Sequence, residues 1–182
     1  MLIRKFEDKD TSEIERMSEQ IVAAGDVFPF ESVQGVLDYW FSPGANVFVA
    51  ESGDIAEADG SLAATYVIKP IFPDRCAHVA NAGYMVDSGL RGRGIGSAIG
   101  THSIEMAASL GFRSMQFSFV MASNEPAIRL WKKLGFETVG RVSRAFRHDE
   151  LGFVDLIVMS LDLGCEQAAD AAGQKRSNFA PD

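Results

Sequence analysis

At 182 residues, 47% of them hydrophobic, the chain is long enough to bury one ordinary core without disulfide staples. Its 17 Lys and Arg against 25 Asp and Glu leave a formal charge of -8, which repels phosphate backbones and anionic lipid at long range, so no nucleic acid partner is expected. An anionic ligand must be held by local donors that work against the overall field.

A strand is predicted over 2–6. A helix follows, capped by Asp8 or Asp10, with Ile14, Met17, Ile21 and Val22 as its apolar stripe, and Gly25 closes it. Ser32 caps a second helix that carries Val36, Leu37, Tyr39 and Trp40, and Ser42, Pro43 and Gly44 stop it. Strands over 47–51 and 62–69 flank a polar turn at 52–60 and read as an antiparallel pair. A strand over 78–86 runs through a Gly-rich turn into a helix from about 94 to 110, and a Phe-rich strand follows over 114–121. A helix over 124–134 ends at Gly135, and strands over 136–142 and 153–161 complete the pattern. From Gly164 onward small and polar residues replace the apolar pattern, so one domain over 1–163 and a mobile tail over 164–182 are expected.

Cys76 and Cys165 stand far apart, with no His or Cys at metal-ligand spacing, so neither a disulfide framework nor a metal is expected. No apolar run approaches the ~20 residues of a membrane span, and the first residues lack a signal-peptide pattern. A cytoplasmic protein without a membrane partner is the expectation.

The turn Asp87-Ser88-Gly89-Leu90-Arg91-Gly92-Arg93-Gly94-Ile95-Gly96-Ser97 carries the chemistry of phosphate binding. Glycines let successive backbone N–H groups face one anion, the helix start adds about half a positive charge, and Arg91 and Arg93 supply local cations. A Walker A loop needs Gly-Lys before Ser or Thr. A dinucleotide loop needs G-x-G-x-x-G, whereas Gly92, Gly94 and Gly96 are followed next by Gly100.

Arg91-x-x-Gly94-x-Gly96 after Met85-Val86 resembles the coenzyme A pyrophosphate loop of the GCN5-related N-acetyltransferases. Asn124-Glu125-Pro126-Ala127-Ile128-Arg129-Leu130-Trp131-Lys132-Lys133-Leu134-Gly135-Phe136 resembles their next helix and turn. The resemblance spans about residues 2–161 with both motifs in the family's order. It implies an α/β (α+β) fold with a mixed, mostly antiparallel sheet of about seven strands flanked by helices. It further implies a V-shaped cofactor cleft between the fourth and fifth strands. The activity implied is transfer of an acetyl group from acetyl-CoA to an amine of a small molecule, and a homodimer is compatible with it. Met85, Val86, Arg91, Gly92, Arg93, Gly94, Ile95, Gly96, Ser97, Asn124 and Trp131 are the implied cofactor contacts, with a backbone N–H beside Met85 and Val86 facing the thioester oxygen.

Two positions depart from the family pattern. Trp131 stands where a tyrosine commonly protonates the departing thiolate, and an indole N–H cannot take that role. Asn81 lies on the strand where many members carry a glutamate base. A carboxamide can place an amine or a water without removing a proton. His78 is either a base or a structural histidine, and strand alternation puts it on the face opposite Asn81, Gly83 and Met85. Asn124 either caps its helix, binds the pantetheine arm, or does both.

His78-Val79-x-Asn81-Ala82-Gly83-Tyr84, Phe117-Ser118-Phe119-Val120 and Ser123-Asn124 with Trp131 are similar to the acetyltransferases of azetidine-2-carboxylate and related proline analogues, although Ser118 replaces an asparagine of that group. That likeness implies catalytic placement by Asn81 and Asn124 and an amino or imino acid acceptor. A protein or other small-amine acetyltransferase, and a coenzyme A-binding regulator without catalysis, stand as alternatives. The loop Phe28-Pro29-Phe30-Glu31 covers the acceptor or merely packs. Arg144, Arg147 and His148 form a basic cluster after the sixth strand that either meets a carboxylate or is a solvated turn, His102 is read as structural, and Asp155 as needing a partner within its apolar strand.

Overall fold

The computed structural model describes residues 1–25, 27–51, 53 and 61–164. The polar turn expected over 52–60 and the tail expected over 164–182 lie, except for Gly53 and Gly164, outside the described residues. The elements are β1 (Leu2–Lys5), α1 (Thr11–Ala24), α2 (Val33–Trp40), β2 (Asn46–Glu51), β3 (Leu62–Pro70), β4 (Val79–Val86), α3 (Ile95–Ser109), β5 (Ser114–Met121), α4 (Glu125–Lys133), β6 (Glu137–His148) and β7 (Gly152–Asp162). They form one seven-stranded sheet in the order β1-β2-β3-β4-β5-β7-β6. All neighbours are antiparallel except β4 and β5, which makes this the mixed, mostly antiparallel sheet expected from sequence.

Local chemistry sets the helix ends. Gly25 takes the left-handed conformation that lets its N–H close α1 on the Ile21 carbonyl, and the Ser32 hydroxyl accepts from the Gly35 N–H to start α2. Alternation along the strands then divides the core. Tyr66, Ile68, Ala80, Met115 and Phe117 pack with Ile99 and Trp131 on the α3–α4 face. Val49, Val67 and Met85 pack with Ile14, Met17, Val36 and Trp40 on the α1–α2 face. His102 is structural: its Nδ1 lies 2.5 Å from the Tyr66 hydroxyl, and its ring meets Phe48 edge-on.

One segment differs from expectation. β6 does not stop at 142 but pairs with β7 as far as His148↔Gly152, so Arg144, Arg147 and His148 belong to the strand and are not a turn after it. The apolar signal ends at Val142, but a two-stranded ladder needs only backbone groups. Asp155 holds the irregular step, accepting from Arg141 Nε at 2.6 Å and from the backbone N–H of Arg144, whose φ is 52°. Those are the partners that its sequence context demanded.

The start of the chain is fixed by one ion cluster. Arg4 donates through both Nη atoms to Asp10 at 2.7 and 2.8 Å and through Nε to Glu51 at 2.7 Å, joining β1, β2 and the start of α1. The Arg4 hydrogen bonds hold the buried Asp10 carboxyl below its ordinary range in spite of desolvation, with help from the Glu7 N–H. A carboxyl whose folded pKa is depressed stabilises the fold above its unfolded pKa of about 3.9 and loses that contribution as pH falls through the folded value. Asp10→Asn, which strands the Arg4 charge, is expected to cost about 3 kcal/mol at neutral pH and to flatten the acid limb of stability against pH, measured by urea unfolding.

Candidate active site

The Gly-rich turn is anchored before it begins. Asp87 accepts from Gly89 N–H at 2.9 Å through Oδ1, and from Arg16 at 2.6 Å and Gln20 at 3.3 Å through Oδ2. Gln20 Oε1 in turn accepts from the Ser88 N–H. Burial pushes the Asp87 carboxyl up, but Arg16, Gly89 and Gln20 together bring it below its ordinary range. α1 thus clamps the loop to the end of β4, a link that sequence reading missed because Arg16 and Gln20 look like plain exposed helix residues.

After this clamp, Gly92 and Gly94 take φ values of 78° and 82°, and Gly94 is the N-cap of α3. A Cβ at either would meet nothing within 4 Å, so glycine is needed there for its backbone freedom and not for space. The conformation turns successive N–H groups toward one side at the positive end of α3, whose first turn holds no acidic residue. This arrangement suits an anion.

Beside the loop the sheet opens. β4 and β5 pair only at Val79↔Ser114 and Ala80↔Met115, and β5 is irregular against β7 between Phe117 and Val120. The Asp87 N–H bonds Ala63 O on β3, so by strand alternation the N–H and C=O groups of Ala82, Tyr84 and Val86 point into the opening. Two adjoining cavities occupy it. One of about 290 Å³ is lined by Asn81, Val86, Gly96, Asn124 and Trp131 together with Phe28, Phe30, Tyr39, Phe117 and Ser118. The other, of about 690 Å³, is lined by Val86, Arg91, Gly92, Ile95, Gly96 and Asn124 with Val27, His148 and Leu151.

Met85, Arg93, Gly94 and Ser97 line neither cavity. The Met85 side chain is buried under α1, 4.0 Å from the Ser18 hydroxyl. His78 is exposed just before β4, away from both cavities. Asn124 caps α4, its Oδ1 accepting from Ala127 N–H at 3.1 Å, and the residue lines both cavities. The Asn81 carboxamide has no hydrogen-bond partner among the described residues.

Trp131 is buried against Tyr84, Phe117 and Phe136, with ring centroids 4.7, 4.8 and 5.9 Å away. Tyr84 is no substitute acid. The Ser103 hydroxyl donates to Gly100 O, so the Tyr84 hydroxyl, 2.8 Å away, donates to Ser103, and burial pushes its pKa up. Sequence reading also missed Tyr39 as a cavity wall. Burial raises its phenol to about 12, and Lys69 Nζ sits 3.4 Å from its ring centroid while donating to Tyr39 O and Ser42 Oγ. Among the described residues no cluster of His, Cys, Asp and Glu could hold a metal ion, and no helix is long and apolar enough to cross a membrane.

Residues 13–136 match the family model described as Acetyltransferase (GNAT) family. The chain is 37% identical over 101 residues to N-acetyltransferase aca1 of Schizosaccharomyces pombe, a match that covers 54% of this chain and 47% of that protein. It is 34% identical over 108 residues to L-amino acid N-acetyltransferase AaaT of Escherichia coli, covering 58% of this chain and 65% of that one. The chain therefore aligns with about half to two thirds of the length of these relatives. A GCN5-related N-acetyltransferase from Kribbella flavida shares the fold at a TM-score of 0.79 and 34% identity, over 88% of this chain and 96% of that one.

Gly94→Val forces a β-branched residue to a positive φ, at a cost of about 1–2 kcal/mol. The variant is expected to keep its far-ultraviolet dichroism and to bind coenzyme A about tenfold more weakly by calorimetry.

Proposed function

The chain belongs to the GNAT acetyltransferase family, and from that membership we propose that it transfers the acetyl group of acetyl-CoA to the amine of a small amino or imino acid. The observation that carries this reading is the adjacency of an anion-binding glycine loop and a small cavity holding two carboxamides, Asn81 and Asn124. Arg91, Gly92 and the amides leading into α3 hold the pyrophosphate. Arg93, Gly94, Ile95, Gly96 and Ser97 shape the loop and first turn, and Met85 supports β4 from beneath.

The pantetheine arm runs along β4, where the Val86 N–H meets the thioester oxygen as negative charge grows on it. The acceptor lies in the cavity of about 290 Å³. Asn81 orients its amine, and the aromatic wall of Phe28, Phe30, Tyr39 and Phe117 takes its apolar body. The neutral amine attacks the thioester carbonyl, the C–N bond forms, and the C–S bond breaks as the thiolate leaves. The extra amine proton passes to water.

Among the described residues no Asp, Glu, His, Lys or Arg lines that cavity, so positioning and the oxyanion contact supply the rate in place of a side-chain base. An acceptor with one compact apolar ring or side chain fits the wall. A preference for proline analogues is supported by the likeness of the segments around Asn81, Phe117 and Trp131 to enzymes of that group, and an amino acid acceptor also agrees with the name of the AaaT relative.

Release of coenzyme A thiol across a panel of amino acids, imino acids, polyamines and peptides tests the reading. Turnover is expected with azetidine-2-carboxylate or a small apolar amino acid and not with spermidine, and turnover confined to peptides would overturn it. Asn81→Ala is expected to lower kcat about a hundredfold while leaving the coenzyme A Kd within twofold, because only acceptor placement is lost.

A further inference from the structure

The hairpin of β6 and β7 runs past the rest of the sheet. The last residue of β5, Met121, pairs with Leu156, whereas β6 and β7 continue as a two-stranded ribbon through Phe146↔Val154 to His148↔Gly152. An isolated ribbon is marginal in water, so its tip needs a surface to lie on. It lies across the cleft. Phe146 meets Phe119 edge-on at 5.6 Å, Arg147 reaches Glu31 at 3.5 Å, and a Cβ at Gly25 would stand 3.5 Å from Asp149 Oδ2. His148 and Leu151 thereby join Arg91, Gly92 and Asn124 around the cavity of about 690 Å³.

The protonation of the His148 ring follows from its surroundings. Nδ1 lies 3.1 Å from the Glu150 N–H and 3.3 Å from the Leu151 N–H. Both are donors, so Nδ1 must accept, and the proton of the neutral ring sits on Nε2. That Nε2–H has no partner among the described residues, although the ring is half-buried in the cavity wall. A donor in the wall of an open cavity, unused by the protein, is available to a ligand.

We propose that His148 is a cofactor-binding residue, donating Nε2–H to an acceptor oxygen of coenzyme A where it passes under the hairpin tip. The inference rests on the acetyl-CoA reading of the cleft. It excludes His148 as the base for the acceptor: the ring presents a proton and not a lone pair to the cavity, and it lines the glycine-loop cavity and not that of Asn81. The oxygen belongs either to a pantetheine amide or to the pyrophosphate, and both accept from a neutral N–H in the same way.

His148→Asn separates binding from folding, because its Oδ1 can still accept from the Glu150 and Leu151 amides while its Nδ2–H₂, at the place of ring Cδ2, stops short of the Nε2 position. The variant is expected to melt within about 2 °C of the wild type, the scatter of ordinary surface changes, and to bind coenzyme A about tenfold more weakly by calorimetry. An equal loss for adenosine 3′-phosphate 5′-diphosphate, which has the pyrophosphate without the arm, assigns the oxygen to the phosphates. A loss confined to coenzyme A assigns it to the arm. In long-range ¹H–¹⁵N spectra of the wild type, read through the carbon-bound ring protons, the His148 Nε2–H resonance is expected to lie at a protonated-nitrogen shift without ligand and to move downfield on adding coenzyme A. A His148→Asn variant that binds coenzyme A as tightly as the wild type, or an Nε2–H resonance that stays in place at saturation, would overturn the proposal. Wild-type protein that fails to bind coenzyme A would instead overturn the acetyl-CoA reading beneath it.

Discussion

The cleft of this protein depends on β4 leaving β5 after a single parallel step. Val79 and Ala80 pair with Ser114 and Met115, and beyond them the strands diverge. A central strand that loses a neighbour exposes backbone donors and acceptors within the fold, where an unmet group costs about 1–3 kcal/mol. β4 keeps its bonds to β3 along its whole length, up to Ala64↔Val86. Only the groups facing the opening are left, and a substrate arm of extended shape with amide groups can satisfy them in the manner of an added strand.

The opening is kept apart by side chains from both faces. On the α2 side, a Cβ at Gly83 would come 3.1–3.4 Å from Tyr39, Trp40 and Phe28, so the helix and its preceding loop press directly on β4. On the α3 side, a Cβ at Gly100 would stand 2.7 Å from Leu134 and 3.2 Å from Trp131, so α4 rests on the α3 backbone. The Trp131 ring fills the space behind Phe117 and Tyr84 that this close approach creates. Trp131 thus packs the core and lines the smaller cavity at once. The aromatic wall and the wedge that holds the cleft are largely the same side chains.

Electrostatics is settled locally, as a formal charge of -8 requires. Asp87, the carboxylate at the start of the glycine turn, is neutralised by Arg16 and spends its oxygens on Arg16, Gln20 and the Gly89 N–H. With no acid in the first turn of α3, the loop amides and Arg91 face a cavity that no acidic residue lines among the described residues. At the other end of the chain order, Asp155 does similar work on the β6–β7 ribbon, holding Arg141 and the Arg144 backbone while the ribbon crosses the cleft.

The amino-acid sequence by itself determined the element order and the glycine loop, because periodicity, capping and positive-φ glycines are local properties, while the choice of Asn81 and Asn124 came from a resemblance of segments. Alternation along 78–86 was enough to set Asn81, Gly83 and Met85 on one face, and Gly83 and Met85 do pack together beneath α1 and α2. Only the tertiary structure decided what meets across the cleft. The Arg16–Asp87 clamp joins residues 71 positions apart, and Tyr39 and His148 reach the cavities from elements with no motif of their own. His148 illustrates the reason. Its segment carries no apolar alternation and reads as a turn, yet backbone pairing with β7 continues regardless of side chains and carries the ring to the larger cavity. Local sequence encodes conformation through each residue's own torsions and neighbours, whereas the meeting of distant residues depends on how the sheet twists, splays and is wedged, which no short segment contains.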